Sequence, residues 1–253
     1  GHKARYHIEA STGLDFRYKL FNASANVVES IGDKGGRVLD ICMDSLPALH
    51  AEPLSPSSYE ILPHAYIAPA TFVFGGYNGS YESWAAYGSW LFSLMEGRGV
   101  LPQNVVAELR QKTVSCSTQR EKVQVVCDIL AATTRYVSIQ LGVGGMQPAP
   151  AAEVCRTGYG DCKALVNYAR AMLEELGVES NYVVINTDRE NITRDFVNGS
   201  QFNHAILQVP LDGDTLWVEC TNPTLPLGYL HDGIAGHDAL VVTAMGGKLC
   251  RLP

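Results

Sequence analysis

The sequence has no Cys-x-x-Cys pair, which argues against a zinc ribbon or a thioredoxin-like dithiol. It has no run of 18 apolar residues, so no transmembrane helix is expected. Cations are in short supply: 19 Lys and Arg stand against 26 Asp and Glu, a net charge of −7. A nucleic-acid binder or a polybasic membrane surface needs a strong positive field, and this chain carries none. No internal repeat or low-complexity tract is evident. The chain opens on Gly1 and His2 rather than Met, so any leader is expected to have been removed from it.

What is present is ample apolar material. Of 253 residues, 46% are hydrophobic and only 18% charged, enough to build the core of one large domain or two modest ones. Seven cysteines lie at 42, 116, 127, 155, 162, 220 and 250, and the odd number leaves at least one thiol unpaired within a monomer. Asn-x-Ser/Thr triplets begin at Asn22, Asn78, Asn191 and Asn198; such triplets are common by chance and carry no function here.

The chain divides by pattern into a β-rich segment, 1–75, and a mixed region, 76–253. In the first, LDFRYKLF and RVLDICM read as half-buried strands, with DKGG at 33–36 as a tight turn. The proline-rich stretch from Pro47 to Pro69 reads as extended and irregular, the approach to a domain boundary. Residues 82–96 place Trp84, Tyr87 and Trp90 at helical spacing, which predicts a core-facing helix. A short helix is expected at 103–112 and an amphipathic one at 119–134, with Val123, Val126, Cys127 and Leu130 on one side. RYVSIQL reads as a strand and GVGGMQPAPA as a loop. DCKALVNYARAMLEEL, 161–176, is strongly helical, and Gly177 suits the position that ends it. NYVVINT is a strand, 188–201 a polar loop, and FNHAILQV and TLWVECT are strands joined by PLDGD. ALVV near 239–242 is a further strand.

One constellation carries chemistry. A thiol nucleophile needs a lowered pKa, a base, and a third polar group that holds the base in the right tautomer. Cys162 opens the long helix directly after Gly158, Tyr159, Gly160 and Asp161. Asp161 suits the N-cap, although its charge opposes thiolate formation next door; the Cys162 N–H is available as an oxyanion donor. If Asp212 and Gly213 are the central turn residues, Leu211 pairs with Asp214 and Ile206 with Glu219. His204 then lies diagonally across the ladder from Glu219, on the same face and within reach. By geometry alone this pattern fits equally a base with its orienting acid and a surface His–Glu pair of no consequence. A change of one residue in turn length would put Glu219 on the opposite face.

GYGDCKALVNYARAMLEELG, then FNHAIL, then LWVECTNPTLPLG together resemble the core signature of the transglutaminase-like superfamily. RYVSIQLGVGGMQPAPAAEVCRTGYGDCKAL is especially similar to a bacterial envelope group of that superfamily, whose members carry a β-rich domain before the thiol core. The similarity runs from about residue 40 to 242. It implies an α+β protein with a papain-like core: a nucleophile-bearing helix packed on an antiparallel sheet that carries the histidine and an acid. By that resemblance Cys162 is nucleophile and His204 base, in a periplasmic or extracellular protein. The family pattern has Asp where this chain has Glu219 in WVECT, a carboxylate one methylene longer. The N-terminal strands are too few for a complete domain, so the sequence is expected to begin part-way through one.

The function expected is thiol-dependent acyl transfer or hydrolysis on a peptide, isopeptide or amide bond, through a thioester and a triad of Cys162, His204 and Glu219. The substrate would be a peptide, a protein or a cell-wall fragment; no metal or organic cofactor is required, and no nucleic acid is involved. Tyr159 and Gln147 are candidates for the oxyanion side or the cleft. Cys155, seven residues ahead of Cys162, reads as a resolving thiol or, in preference, as a simple loop cysteine. His231 and His237, in HDGIAGHD, have a spacing that matches no zinc pattern and read as solvent-exposed loop residues. The Glu219 departure sustains a rival from another class, a non-catalytic envelope module that holds a peptide or glycan in the same cleft.

Overall fold

The structure, a computed structural model, describes residues 2–46, 48, 50 and 52–253. Contacts divide the chain into two units, one of residues up to Phe72 with Asp195–Asn198, the other Val73–Arg194 with Gly199–Pro253.

The first unit is built from strands. β1 (His2–Glu9), β4 (Arg37–Leu46) and β3 (Asn26–Ile31) form an antiparallel sheet in that order, and β2 (Phe16–Phe21) pairs with β5 (His64–Pro69) in a second. Phe16 from one sheet and Leu39 and Ile41 from the other share a core, joined by Tyr18, Leu20 and Ile67. The segment read as irregular therefore contains a one-turn helix, α1 (Ser58–Ile61), and the ordered strand β5. Pro47, Leu49 and Ala51 of that segment lie outside the described residues.

A short hairpin of β6 (Thr71–Phe74) and β7 (Tyr77–Ser80) leads into three helices: α2 (Trp84–Ser93), α3 (Gln103–Lys112) and α4 (Gln119–Thr133). Tyr87 and Trp90 of α2 are buried, as their spacing predicts. Thr118 and Glu121 close a reciprocal capping box at the start of α4. Next come β8 (Arg135–Tyr136), α5 (Ala151–Thr157), β9 (Tyr159–Gly160) and α6 (Cys162–Glu175). The strand expected over RYVSIQL is confined to its first two residues, which pair in parallel with β9. α6 ends as its glycine predicts: Gly177 takes a positive φ of 67°, with N–H bonds from Gly177 to Glu174 O and from Val178 to Leu173 O.

The remaining strands form one antiparallel sheet of five. β10 (Asn181–Ile185), β11 (His204–Leu211), β12 (Asp214–Val218), β13 (Asp238–Thr243) and β14 (Gly246–Arg251) take the order β12-β11-β10-β13-β14. Along β10 the side chains alternate. Val183 and Ile185 join a core with Ile206, Trp217, Ile234 and Val241, while Tyr182 and Val184 line a cavity beside α6. α6 is buried almost throughout its length, including Lys163 and Asn167, so it is the central helix of its unit rather than a half-buried one. At the far edge α2 meets β14 backbone to backbone. A Cβ on Gly88 would lie 2.1 Å from Gly247 N.

Candidate thiol active site

Local chain chemistry delivers Cys162 to the first position of α6. α5 ends at Gly158, whose φ of 68° lies in the left-handed region, and a Cβ there would sit 3.1 Å from Thr133 O. Two residues of β9 follow, then Asp161, whose Oδ1 accepts the Ala164 N–H at 3.0 Å and caps the helix. Its other oxygen, Oδ2, lies 2.6 Å from Lys163 Nζ, and both side chains are buried. The negative charge beside Cys162, unfavourable to a thiolate when read alone, is thus met by a cation on the residue that follows Cys162. The helix N-terminus adds its own partial positive charge and unbonded N–H groups.

His204 opens β11. Leu211 pairs with Asp214 and Leu207 with Val218, the register that the Asp212–Gly213 turn requires. One step beyond the last paired residue stands Glu219, and His204 Nε2 lies 2.7 Å from Glu219 Oε2. Cys162 lines the same cavity as His204 and is among the groups that favour its charged form. Nε2 is taken by Glu219, so Nδ1 is the nitrogen left for the thiol. The imidazole is pushed from 6.5 up to about 9. Burial is the largest influence and opposes the cation, but the Cys162 and Glu219 side chains together outweigh it. Glu219 is held below its ordinary value. Burial pushes it upward, and the bonds and charge from His204, with further bonds from Thr221, overcome that.

All seven cysteines are free. Burial lifts the Cys127 thiol to about 12 and pushes Cys220 and Cys250 upward as well. Cys155 lies on α5, not in a loop, and adds to burial in pushing the Tyr168 hydroxyl upward.

Cys162 and His204 open on a cavity of about 180 Å³ walled by Tyr87, Met146, Tyr182 and Phe202, with Gln140 also lining it. A Cβ on Gly199 would come within 2.4 Å of Tyr87 Oη, so a glycine there lets the wall close. Gln147 and Tyr159 do not line this cavity. They border a separate hollow of about 380 Å³ with Arg98 and Asp161. The Gln147 amide is already engaged, accepting from Arg98 Nη2 at 2.6 Å and donating to Tyr77 Oη at 2.9 Å. Gln140, in the wall instead, offers no sequence signal beyond lying in the glycine-rich approach to the site.

HDGIAGHD also differs from expectation. His237 and Asp238 are buried: His237 Nδ1 is 2.7 Å from Asn186 O, and Asp238 pairs with Arg194 at 2.6 Å and Arg251 at 3.4 Å. His231 is partly exposed, and its Nε2 lies 3.6 Å from Glu219 Oε2.

Residues 107–221, which hold Cys162, His204 and Glu219, match the family model of the transglutaminase-like superfamily. This segment is a transglutaminase-like core. The crystal structure of a candidate protease from Parabacteroides distasonis is similar with a TM-score of 0.71 at 15% identity; the match covers 99% of this chain and 44% of that one. The chain thus spans less than half the length of the Parabacteroides protein, and the likeness extends the shared fold beyond the transglutaminase-like core. A candidate cysteine protease from Cytophaga hutchinsonii aligns over 98% of this chain and 81% of its own, at 12% identity and a TM-score of 0.40. The periplasmic domain of TgpA from Pseudomonas aeruginosa aligns over 89% and 72%, at 13% identity and a TM-score of 0.34. No curated protein matches the sequence. Among the described residues no helix is long and apolar enough to cross a membrane.

Proposed function

We propose that the protein is a cysteine hydrolase or acyltransferase in which Cys162 is nucleophile, His204 acid and base, and Glu219 the group that orients His204. The observation that carries this reading is one imidazole that shares a cavity with Cys162 and lies 2.7 Å from Glu219 Oε2. His204 takes the Cys162 proton, and the sulfur attacks the carbonyl of a peptide, isopeptide or side-chain amide. The oxyanion forms beside the Cys162 N–H, with the Gln140 amide as the second donor. His204 gives its proton to the departing amine, which leaves a thioester. Water then attacks as His204 takes one of its protons, and return of that proton to sulfur releases the acid and restores the thiol. Glu219 keeps the imidazole turned and stabilises its charge throughout.

The substrate we propose is a peptide, a protein or a cell-wall-derived fragment, in the periplasm or outside the cell; the resemblance of the approach to Cys162 to the envelope group supports this placement.

An iodoacetamide-based probe followed by peptide mapping tests the assignment. Cys162 is expected to label ahead of the other six cysteines, more slowly in His204→Ala. Cys162→Ala is expected to fold normally and to lose all turnover of a peptide and cell-wall fragment set. Retained turnover in C162A would sink the assignment. Binding without turnover in any variant would favour the non-catalytic module.

A further inference from the structure

The Glu219 carboxylate is held at both oxygens. Oε1 accepts from Thr221 N at 2.9 Å and from Thr221 Oγ1 at 2.6 Å. Oε2 takes His204 Nε2 at 2.7 Å and faces a second imidazole, with His231 Nε2 3.6 Å away. The other ring nitrogen of His231 fixes which way the proton lies. Gly233 N–H donates to His231 Nδ1 at 3.1 Å, so Nδ1 is an acceptor and the neutral ring carries its hydrogen on Nε2, toward Glu219.

The position of this ring is built rather than incidental. Leu230, just before it, packs on the core cluster to which Ile234, just after it, belongs. The N–H groups of Ile234 and Ala235 both bond to His231 O at 2.9 Å, closing a turn around the residue. A Cβ on Gly233 would lie 3.1 Å from both Cε1 and Nδ1 of the ring, so a residue with little bulk is needed beneath it. A glutamate has one more rotatable bond than the aspartate of the family pattern, and it gains most from such anchoring.

We infer that His231 is a positioning residue for the triad: its Nε2 faces Glu219 Oε2 from 3.6 Å, just outside direct hydrogen-bond reach, and as a close polar neighbour it limits the swing of the carboxylate that orients His204. The inference rests on the proposed roles of Cys162, His204 and Glu219. His231 falls outside the residues that match the family model, on a loop contributed by the connection between β12 and β13.

Two substitutions separate positioning from mere support of the loop. His231→Asn places an amide oxygen near Nδ1 and keeps an acceptor for Gly233 while removing the polar nitrogen that faces Glu219. His231→Gln places an amide N–H near Nε2 and keeps a polar nitrogen facing Glu219. The readout is the rate of Cys162 alkylation by iodoacetamide at pH 7, with kcat and KM where a substrate is in hand. H231N is expected to lose about threefold to tenfold in alkylation rate and in kcat, with KM unchanged, and H231Q to stay within about twofold of wild type. In an E219Q background H231N is expected to add no further loss, because its partner charge is gone. Wild-type rates in H231N, equal losses in H231N and H231Q, or losses that multiply with E219Q would each overturn the role. His204→Ala, measured alongside, separates the two failures. A loss in H204A but none in H231N overturns the positioning role alone, whereas no loss in H204A overturns the triad beneath it.

Discussion

Lys163 Nζ and Asp161 Oδ2 form a buried ion pair of 2.6 Å that flanks Cys162 in sequence on both sides. Asp161 caps α6, yet its charge adjoins the sulfur that the proposed mechanism turns into an anion. The lysine reconciles the two. Removing one partner of a buried pair strands the other. Lys163→Met is expected to destabilise the protein by about 3–5 kcal/mol in urea denaturation and to slow alkylation of Cys162. Adding Asp161→Asn to K163M is expected to recover most of the stability. If K163M unfolds at the wild-type midpoint, the pair contributes nothing.

Glu219→Gln keeps the size of the side chain and a hydrogen bond to His204 but loses the charge and can select the wrong imidazole tautomer. Turnover is expected to fall by about tenfold or more, at least roughly 1.4 kcal/mol of barrier. Glu219→Asp shortens the reach by one methylene. Because Thr221 and His204 grip the two glutamate oxygens at 2.6–2.9 Å, the aspartate is expected to lose one grip and to run slower than wild type. Equal rates for E219Q and wild type would remove Glu219 from the site.

The pH dependence of stability follows from the two shifts. His204 is raised from 6.5 to about 9 in the folded protein, so its contribution is full below about pH 6.5 and disappears as pH rises through 9. Glu219 is lowered from 4.5, so its contribution is full above about pH 4.5 and disappears as pH falls through its folded value. Wild type is expected to lose on the order of 3 kcal/mol more than H204A between pH 6 and pH 10, measured by urea denaturation across the range. Parallel curves for the two proteins would contradict the linkage.

Gly88→Ala drives a methyl group into the backbone of Gly247, which cannot move aside as a flexible side chain would. The expected loss is about 3 kcal/mol, with weakened docking of α2 on β14. Gly144→Ala, at a glycine with nothing within 4 Å of the added carbon, is the control and is expected to stay within about 0.5 kcal/mol. A thermal melt of both proteins decides.

The Asp212–Gly213 hairpin was readable in advance because a two-residue turn dictates register, and register brings His204 to Glu219. The end of α6 was readable for a similar reason, since Gly177 supplies a left-handed residue where one is needed. Features whose partners lie far along the chain were not. β5 escaped notice among prolines because Pro69 sits at the end of a strand in a two-stranded sheet, where a missing N–H is tolerated. α5 is only seven residues long and follows Pro150, which disguised a helix start as more loop. Asp238 looked like a loop residue, yet it is buried by pairing with Arg194, 44 residues before it, and with Arg251. His231 was dismissed as a metal ligand because of its spacing, while its neighbour in space, Glu219, lies 12 positions away in the sequence.

With all seven thiols free, the fold owes none of its stability to a cross-link. A reductant such as dithiothreitol therefore finds no structural bond to cleave, and its effect falls on Cys162, the sulfur that the proposed mechanism needs unoxidised. Melting temperature should be indifferent to redox conditions while alkylation at Cys162 tracks them, so the protein can be purified, stored and assayed under strong reduction, and production in a reducing cytoplasm needs no oxidative folding step.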